Sequence, residues 1–343
     1  MKKITLALTL AILLLISVEL QLVNLATANF IAYLPKITIK TDGSIEPKTD
    51  FIKQVGDLYT LTADLSQNSS LVIQRSNIVF DGKGHVVNGS LAYLGYANVG
   101  LCVEGVTNVT IKNIEVIGFI DRNILIENSS GVSLIGVKTQ WLHLMHSNFC
   151  SIAESIIGLD GNAYDLEVDF SSNNIFTKNN ITYLLWISSS ENNRVYENNI
   201  SSIYLTGNSS SNSFIKNNFG CQKNYFESIE LNFWDNGTVG NYWSNYKGGD
   251  ADCNGIGDTP YFIYSQTPDE THSKIVEIFS GQDNYPLMVP YVVPPSPSPT
   301  PEPQPETEPT LTALTMAASG LTIAGVVVCL LFFYKKRKPP NFG

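Results

Sequence analysis

The stretch YDLEVDF, residues 164–170, holds carboxylates at a spacing that suits chemistry. On a strand, Asp165, Glu167 and Asp169 fall on one face, with Leu166, Val168 and Phe170 on the other. Three carboxylates on an outward face can bind Ca²⁺, or pair as the acid and base of a glycosidase. One repeat later Trp186 aligns with Glu167, and an aromatic ring beside carboxylates suits a sugar. A solvated strand face, charged to discourage edge association, accounts for the same pattern without chemistry.

A second stretch is DADCNGIGD, residues 250–258. Asp250, Asp252 and Asn254 alternate, Gly255 permits a turn, Ile256 offers its carbonyl, and Asp258 follows two residues on. Alternating oxygen ligands of this kind surround Ca²⁺ in the first part of an EF-hand loop. The position of the closing bidentate Glu holds Tyr261. Ca²⁺ is therefore the one cofactor expected, as a structural clip; an ion-free Asp/Gly turn is the alternative. In WLHLMHSNFC (141–150), His143 and Met145 share a strand face and are copper-type donors. Leu142 and Leu144 alternate with them, so an exposed His and Met beside a core strand suffice, and copper is not expected.

The elements that must position these residues show in a repeat. NNIFTKNNI, NNRVYENNI and SNSFIKNNF begin at Asn173, Asn192 and Ser211, 19 residues apart. Asn174, Asn193 and Asn212 share the interval, as do Asn180, Asn199 and Asn218. A fixed short period marks a solenoid whose units bury apolar faces only against their neighbours. Alternating strands between Asn/Ser/Gly corners make it all-β. Upstream the units align through Phe80, Ile111, Leu134 and Ile152 at looser spacing. The expected fold is a right-handed, single-stranded parallel β-helix, since the hexapeptide beat of a left-handed one is absent. At about 20 residues per coil it has roughly nine or ten coils. Asn180, Asn199 and Asn218 are expected to point inward and bond along the stack as a ladder; a row of exposed Asn facing a sugar is the alternative.

ITIKTDGSIEP (37–47), YTLTADL (59–65) and NIVFDGKGHVVNG (77–89) resemble the N-terminal cap and first coil of NosD-like right-handed β-helix proteins, which have the pectin-lyase-like fold. GNYWSNYKGGDADCNGIGDTPY (240–261) and DNYPLMVP (283–290) resemble the closing segment of archaeal-type surface members of that family. The resemblance implies a carbohydrate-binding or sugar-hydrolysing β-helix, and its family name a link to copper delivery. A membrane stalk departs from a periplasmic copper partner. The Gly-His-Gly and Arg-x-Lys segments of polygalacturonases are absent, His85 standing in GKGHVV instead. Arg75, Arg122 and Arg194 lie in no acidic cluster of the sequence, so the Arg beside Ca²⁺ that pectate lyases need is not evident.

The ends read as addresses. Residues 1–28 form a signal peptide, with two Lys, an apolar run and Ala26 to Ala28. Residues 311–334 lack charge and are long enough, at ~1.5 Å per residue, to cross a ~30 Å hydrocarbon core. KKRK (335–338) opens a basic cytosolic tail, 335–343. The Pro-rich segment 291–310 is an extended linker. Between the ends lie a β-helix with its cap, 29–235, and a C-terminal cap, 236–290. The chain is thus read as a single-pass cell-membrane protein with its mass outside.

A formal net charge of −10 argues against nucleic acid as a partner. Cys221 and Cys253 are expected to join the cap to the last coil by a disulfide, which the outside compartment permits. Cys102 and Cys150, about two coils or ~10 Å apart, exceed the ~7 Å that a bridge spans. Asn68, Asn88, Asn108, Asn128, Asn208 and Asn236 are glycosylation candidates, as are Asn180 and Asn199 by sequence alone. The first functional expectation is an envelope protein that binds polysaccharide or cell-envelope glycan, or serves as structure, without turnover. The second is a lyase or hydrolase using Asp165, Glu167 and Asp169; the third is a copper-handling accessory protein.

Overall fold

Short runs of β-branched and aromatic residues, broken by corners, leave each run too short to stand without neighbours. The computed structural model describes residues 36–65, 69–89, 99–159, 165–220, 224–226, 231–268 and 275–292. The chain divides into two units, Met1–Pro294 and Pro295–Gly343, and every described residue belongs to the first. The expected signal peptide, membrane span, basic tail and nearly all of the linker lie outside the described residues. Among the described residues no helix is long and apolar enough to cross a membrane.

The described chain is all-β, and its repeats pair in parallel, one turn upon the next, as in a β-helix. The strands line three faces, with Asn180–Ser188 and Asn199–Thr206 each long enough to serve two of them. One face runs through Val99–Glu104, Arg122–Glu127, Leu142–Met145, Leu166–Asp169, Asn180–Ser188 and Asn199–Thr206. A second runs through Leu58–Leu61, Ile78–Asp81, Val109–Lys112, Ser133–Ile135, Ser151–Ala153, Ile175–Thr177, Arg194–Tyr196 and Ser213–Ile215, eight rungs in all. The third begins at Val86–Asn88 and ends at Tyr242–Trp243. Phe80, Ile111, Leu134 and Ile152 are in register on consecutive rungs, as their sequence alignment predicts. Phe176, Val195 and Phe214 continue this fully buried column. Each such side chain contributes roughly 1.5–3 kcal/mol on burial.

The corners carry the repeat. At each one a residue adopts the left-handed conformation, such as Phe170 (φ 48°), Asn192 (φ 57°) or Lys216 (φ 56°). This costs a non-glycine residue about 1–2 kcal/mol. The residue that follows turns inward and closes a ladder. In the first ladder, Ser129, Ser147, Ser171 and Ser190 each donate a backbone N–H to the hydroxyl of the next serine, ending at Ser209. In the second, the amides of Asn174, Asn193 and Asn212 donate to the Oδ1 of Asn193, Asn212 and Asn232 at 2.9, 2.9 and 3.0 Å. In the third, Asn179, Asn198 and Asn217 donate to Asn198, Asn217 and Asn241 at 2.8, 3.1 and 3.0 Å. All these Asn are buried.

The inward ladder therefore belongs to the first Asn of each late doublet, correcting the expectation for Asn180, Asn199 and Asn218. Asn180 and Asn199 are exposed and Asn218 is half-buried. They do stack in register, and Asn218 Nδ2 donates to Asn199 Oδ1 at 2.7 Å, but on the outside. The reason is strand alternation: Ile181 and Ile200 point inward, so the residue before each must point out.

Aromatic rings and a hairpin close the C-terminal end. Phe214 stacks on Trp234, Phe219 on Trp243, and Trp243 on Tyr261, with centroids 4.5, 4.4 and 4.3 Å apart. The antiparallel strands Tyr261–Pro268 and Ile275–Asp283 follow. Covering the last rung removes an open edge that would otherwise template pairing with another chain.

Candidate functional site

Arg122, Trp141, His143, Glu167 and Asp169 meet on the outer surface of the first face. His143 is in register with Leu125 and Glu167. Glu167 is in register with Trp186, as the alignment of those two in the sequence predicts. Asp169 lies two residues along the same strand. His143 Nε2 is 3.0 Å from Asp169 Oδ2, and Arg122 Nε donates to His143 Nδ1 at 2.7 Å. With Nδ1 taking the guanidinium donor, Nε2 is the ring nitrogen that faces the Asp169 carboxylate. Glu167 Oε2 lies 3.5 Å from His143 Nδ1. Arg122 also donates through Nη1 to Asp121 at 2.9 Å, and its guanidinium carbon is 5.2 Å from the Trp141 ring centroid.

His143 is 2% exposed and Glu167 7%. Burial, joined by the Asp169 charge, pushes the Glu167 carboxyl above its ordinary range against the opposing pull of His143 and Arg122. Beyond Trp186 the same strand position is held by Tyr204 and Tyr225, whose ring centroids are 5.5 Å apart.

Three sequence expectations change here. Asp165 does not join the outward carboxylates. It is fully buried, and its Oδ2 accepts the amides of Tyr183 at 2.5 Å and Leu184 at 3.3 Å. Those amides lie at the register shift between Ile181 and Leu184, where an irregular strand frees backbone donors. His143 is buried rather than exposed, because Arg122 and Asp169 engage both ring nitrogens. Arg122 does lie in an acidic cluster, assembled by the stacking of coils rather than by neighbours in sequence.

The second face carries a groove of about 880 Å³ over the strands Ile175–Thr177, Arg194–Tyr196 and Ser213–Ile215. Its rim includes Asn173, Asn192 and Ser211, the opening residues of the three 19-residue phrases, all exposed and all in the left-handed conformation. Ile175, Tyr196, Ile215 and Phe233 supply apolar surface, Phe233 being 48% exposed. Arg194 and Lys216 add positive charge, with Lys216 Nζ 5.3 Å over the Tyr291 ring. The one carboxylate in the lining is Glu197, whose Oε1 accepts the Tyr291 hydroxyl at 3.0 Å. The Asn-rich phrases read as architecture in the sequence, and this groove lies beyond that reading. The signal was present in Asn173, Asn192 and Ser211, the corner residues that do not enter a ladder.

In the 250–258 loop the carboxylates are engaged by the loop's own amides. Asp250 accepts from Asn254 at 3.1 Å and Gly255 at 2.9 Å, and Asp258 from Ala251 at 2.7 Å. Asp252 Oδ1 accepts the Asn254 amide, and Asn254 Oδ1 accepts the amide of Ile256. Gly255, at φ 86°, is required at this turn. Cys253 is exposed with a free thiol, while its expected partner Cys221 lies outside the described residues. Of the glycosylation candidates, Asn108, Asn128, Asn208 and Asn236 are exposed, Asn88 is half-buried, and Asn68 is outside the described residues.

No known protein family matches the chain, and no curated protein matches it. Among solved structures it is similar to the Geobacillus virus E2 protein ORF18, with a TM-score of 0.30 and 10% identity over 65% of this chain. The chain spans 60% of that protein's length.

Proposed function

We propose that this chain is a membrane-anchored cell-surface protein of the NosD-like, right-handed β-helix kind that holds a polysaccharide in the groove of its second face without cleaving it. One observation carries the reading: the groove is lined by amides, aromatic and aliphatic surface and two cations, with Glu197 as its sole carboxylate. Aromatic faces and amides suit the two sides of a sugar ring, its C–H surface and its hydroxyls. Hydrolysis of a glycosidic bond takes two carboxyl groups some 5–9.5 Å apart, and a single one does not make the pair. Uncharged residues 311–334 and the following basic cluster support the anchor, and Ca²⁺ in the 250–258 loop remains part of the proposal as a clip of the cap.

A second reading has its own observation. Glu167, held protonated to a higher pH by burial, and Asp169 beside it resemble an acid–base pair. They lie outside the groove lining, so they rank second. The full-length chain in detergent, incubated with immobilised neutral and acidic polysaccharides, separates the two. Retention without new reducing ends supports the binder; new ends that vanish on Glu167→Gln support the hydrolase and overturn the first reading.

A further inference from the structure

We propose that His143, Glu167 and Asp169 form a binding site for one divalent transition cation of the Zn²⁺ type, and that Arg122 stands in for that cation when it is absent. One ligating atom from each of the three side chains lies within 4.8 Å of the others. A single imidazole nitrogen with two carboxylate oxygens is a donor set of zinc, whereas Ca²⁺ takes at least about six ligands, all of them oxygen. Three protein ligands leave a tetrahedral ion one open position.

The balance of charge points the same way. Asp121 pairs with the Arg122 guanidinium, while Glu167 and Asp169 both lie against the His143 ring, so three carboxylates share a site with one guanidinium. Glu167 is more than nine-tenths buried, so a negative charge on it is poorly solvated, and a cation held between it, His143 and the half-buried Asp169 relieves it. The ligands also stand on rigid elements. His143 and Glu167 are register partners on adjacent strands, and Asp169 shares a strand with Glu167.

Arg122 and the ion compete. Coordination through His143 Nε2 places the imidazole proton on Nδ1, which then faces the Arg122 Nε–H donor with no acceptor between them. The ion therefore breaks the contact between Arg122 and His143. The guanidinium keeps its other two neighbours, Asp121 and the Trp141 ring. Removing the Arg122 charge should thus strengthen metal binding, an outcome that a purely structural ion-pair cluster does not give.

The test uses the full-length chain in detergent, stripped with a chelator and dialysed against Zn²⁺, with Ca²⁺ in parallel, and reads bound metal by atomic emission. The expected result is about one Zn²⁺ per chain that excess Ca²⁺ does not displace. Asp169→Asn, at a half-buried position, lowers the affinity about tenfold or more, and Arg122→Gln raises it. The proposal is overturned if neither the unmodified chain nor the Arg122→Gln variant retains Zn²⁺. It is equally overturned if Asp169→Asn binds as the unmodified chain does, or if Arg122→Gln binds more weakly.

Discussion

The backbone amide of Asn241 donates to Asp283 Oδ2 at 2.7 Å, so the third ladder of buried amides ends on a carboxylate. The indole of Trp243 donates to the same oxygen at 2.9 Å, and the Tyr285 amide reaches Oδ1 at 3.0 Å. A side chain from the closing hairpin thus takes the place of the next rung.

Burial raises the Asp283 carboxyl from 3.8 to about 6, with Asp235 adding to the shift and the three hydrogen bonds opposing it. Between those values the folded chain holds a proton that the unfolded chain has released. The stabilisation is therefore complete below pH 4 and is lost as pH rises through 6, a difference of roughly 3 kcal/mol. Chemical unfolding of the unmodified chain minus that of Asp283→Asn should fall across this window. A difference that stays level with pH contradicts the assignment.

The doublets give a sharper test. Asn198 is fully buried, accepts from Asn179, and donates through Nδ2 to the Phe176 carbonyl at 2.9 Å. Asn198→Ala strands these backbone groups and should cost roughly 3–5 kcal/mol, at about 1–3 kcal/mol for each buried group left without a partner. Asn199→Ala, one residue along and exposed, should stay within about 0.5 kcal/mol. Equal losses in denaturant midpoint for the two variants would restore the inward assignment to Asn199.

Asp165 brackets the irregular strand rather than serving a site. Asp165→Ala removes the acceptor of Tyr183 and Leu184 and should destabilise the chain by about 2–4 kcal/mol. Polysaccharide retention at a temperature well below unfolding should not change. A loss of retention in a chain whose unfolding is unaltered would return Asp165 to the functional surface.

What was legible in the sequence follows from what is periodic. Phe80, Ile111, Leu134 and Ile152 could be aligned because each sits one coil above the last, whatever the loop between. The same holds for Glu167 and Trp186. The choice within each Asn doublet was also available: apolar Ile181 and Ile200 fix the inward parity, and counting back one residue turns Asn180 and Asn199 outward. The contact of Arg122 with His143 was not, since it depends on how many residues the intervening corner consumes. Nor was the role of Asp165, which exists only because the strand opposite slips its register between Ile181 and Leu184.

The groove over Ile175–Thr177, Arg194–Tyr196 and Ser213–Ile215 is the proposed seat of the polysaccharide. Ser213, half-buried on the groove surface between the corner at Ser211 and Ile215, can be replaced by a bulky ring without entering the core. The most direct measurement compares retention of the full-length chain and of Ser213→Trp on the polysaccharide that the unmodified chain holds best, with thermal unfolding followed on both. Ser213→Trp is expected to unfold with the unmodified chain yet to lose about tenfold or more in affinity. Undiminished retention by a folded Ser213→Trp, or no retention of any polysaccharide by the unmodified chain, would contradict it.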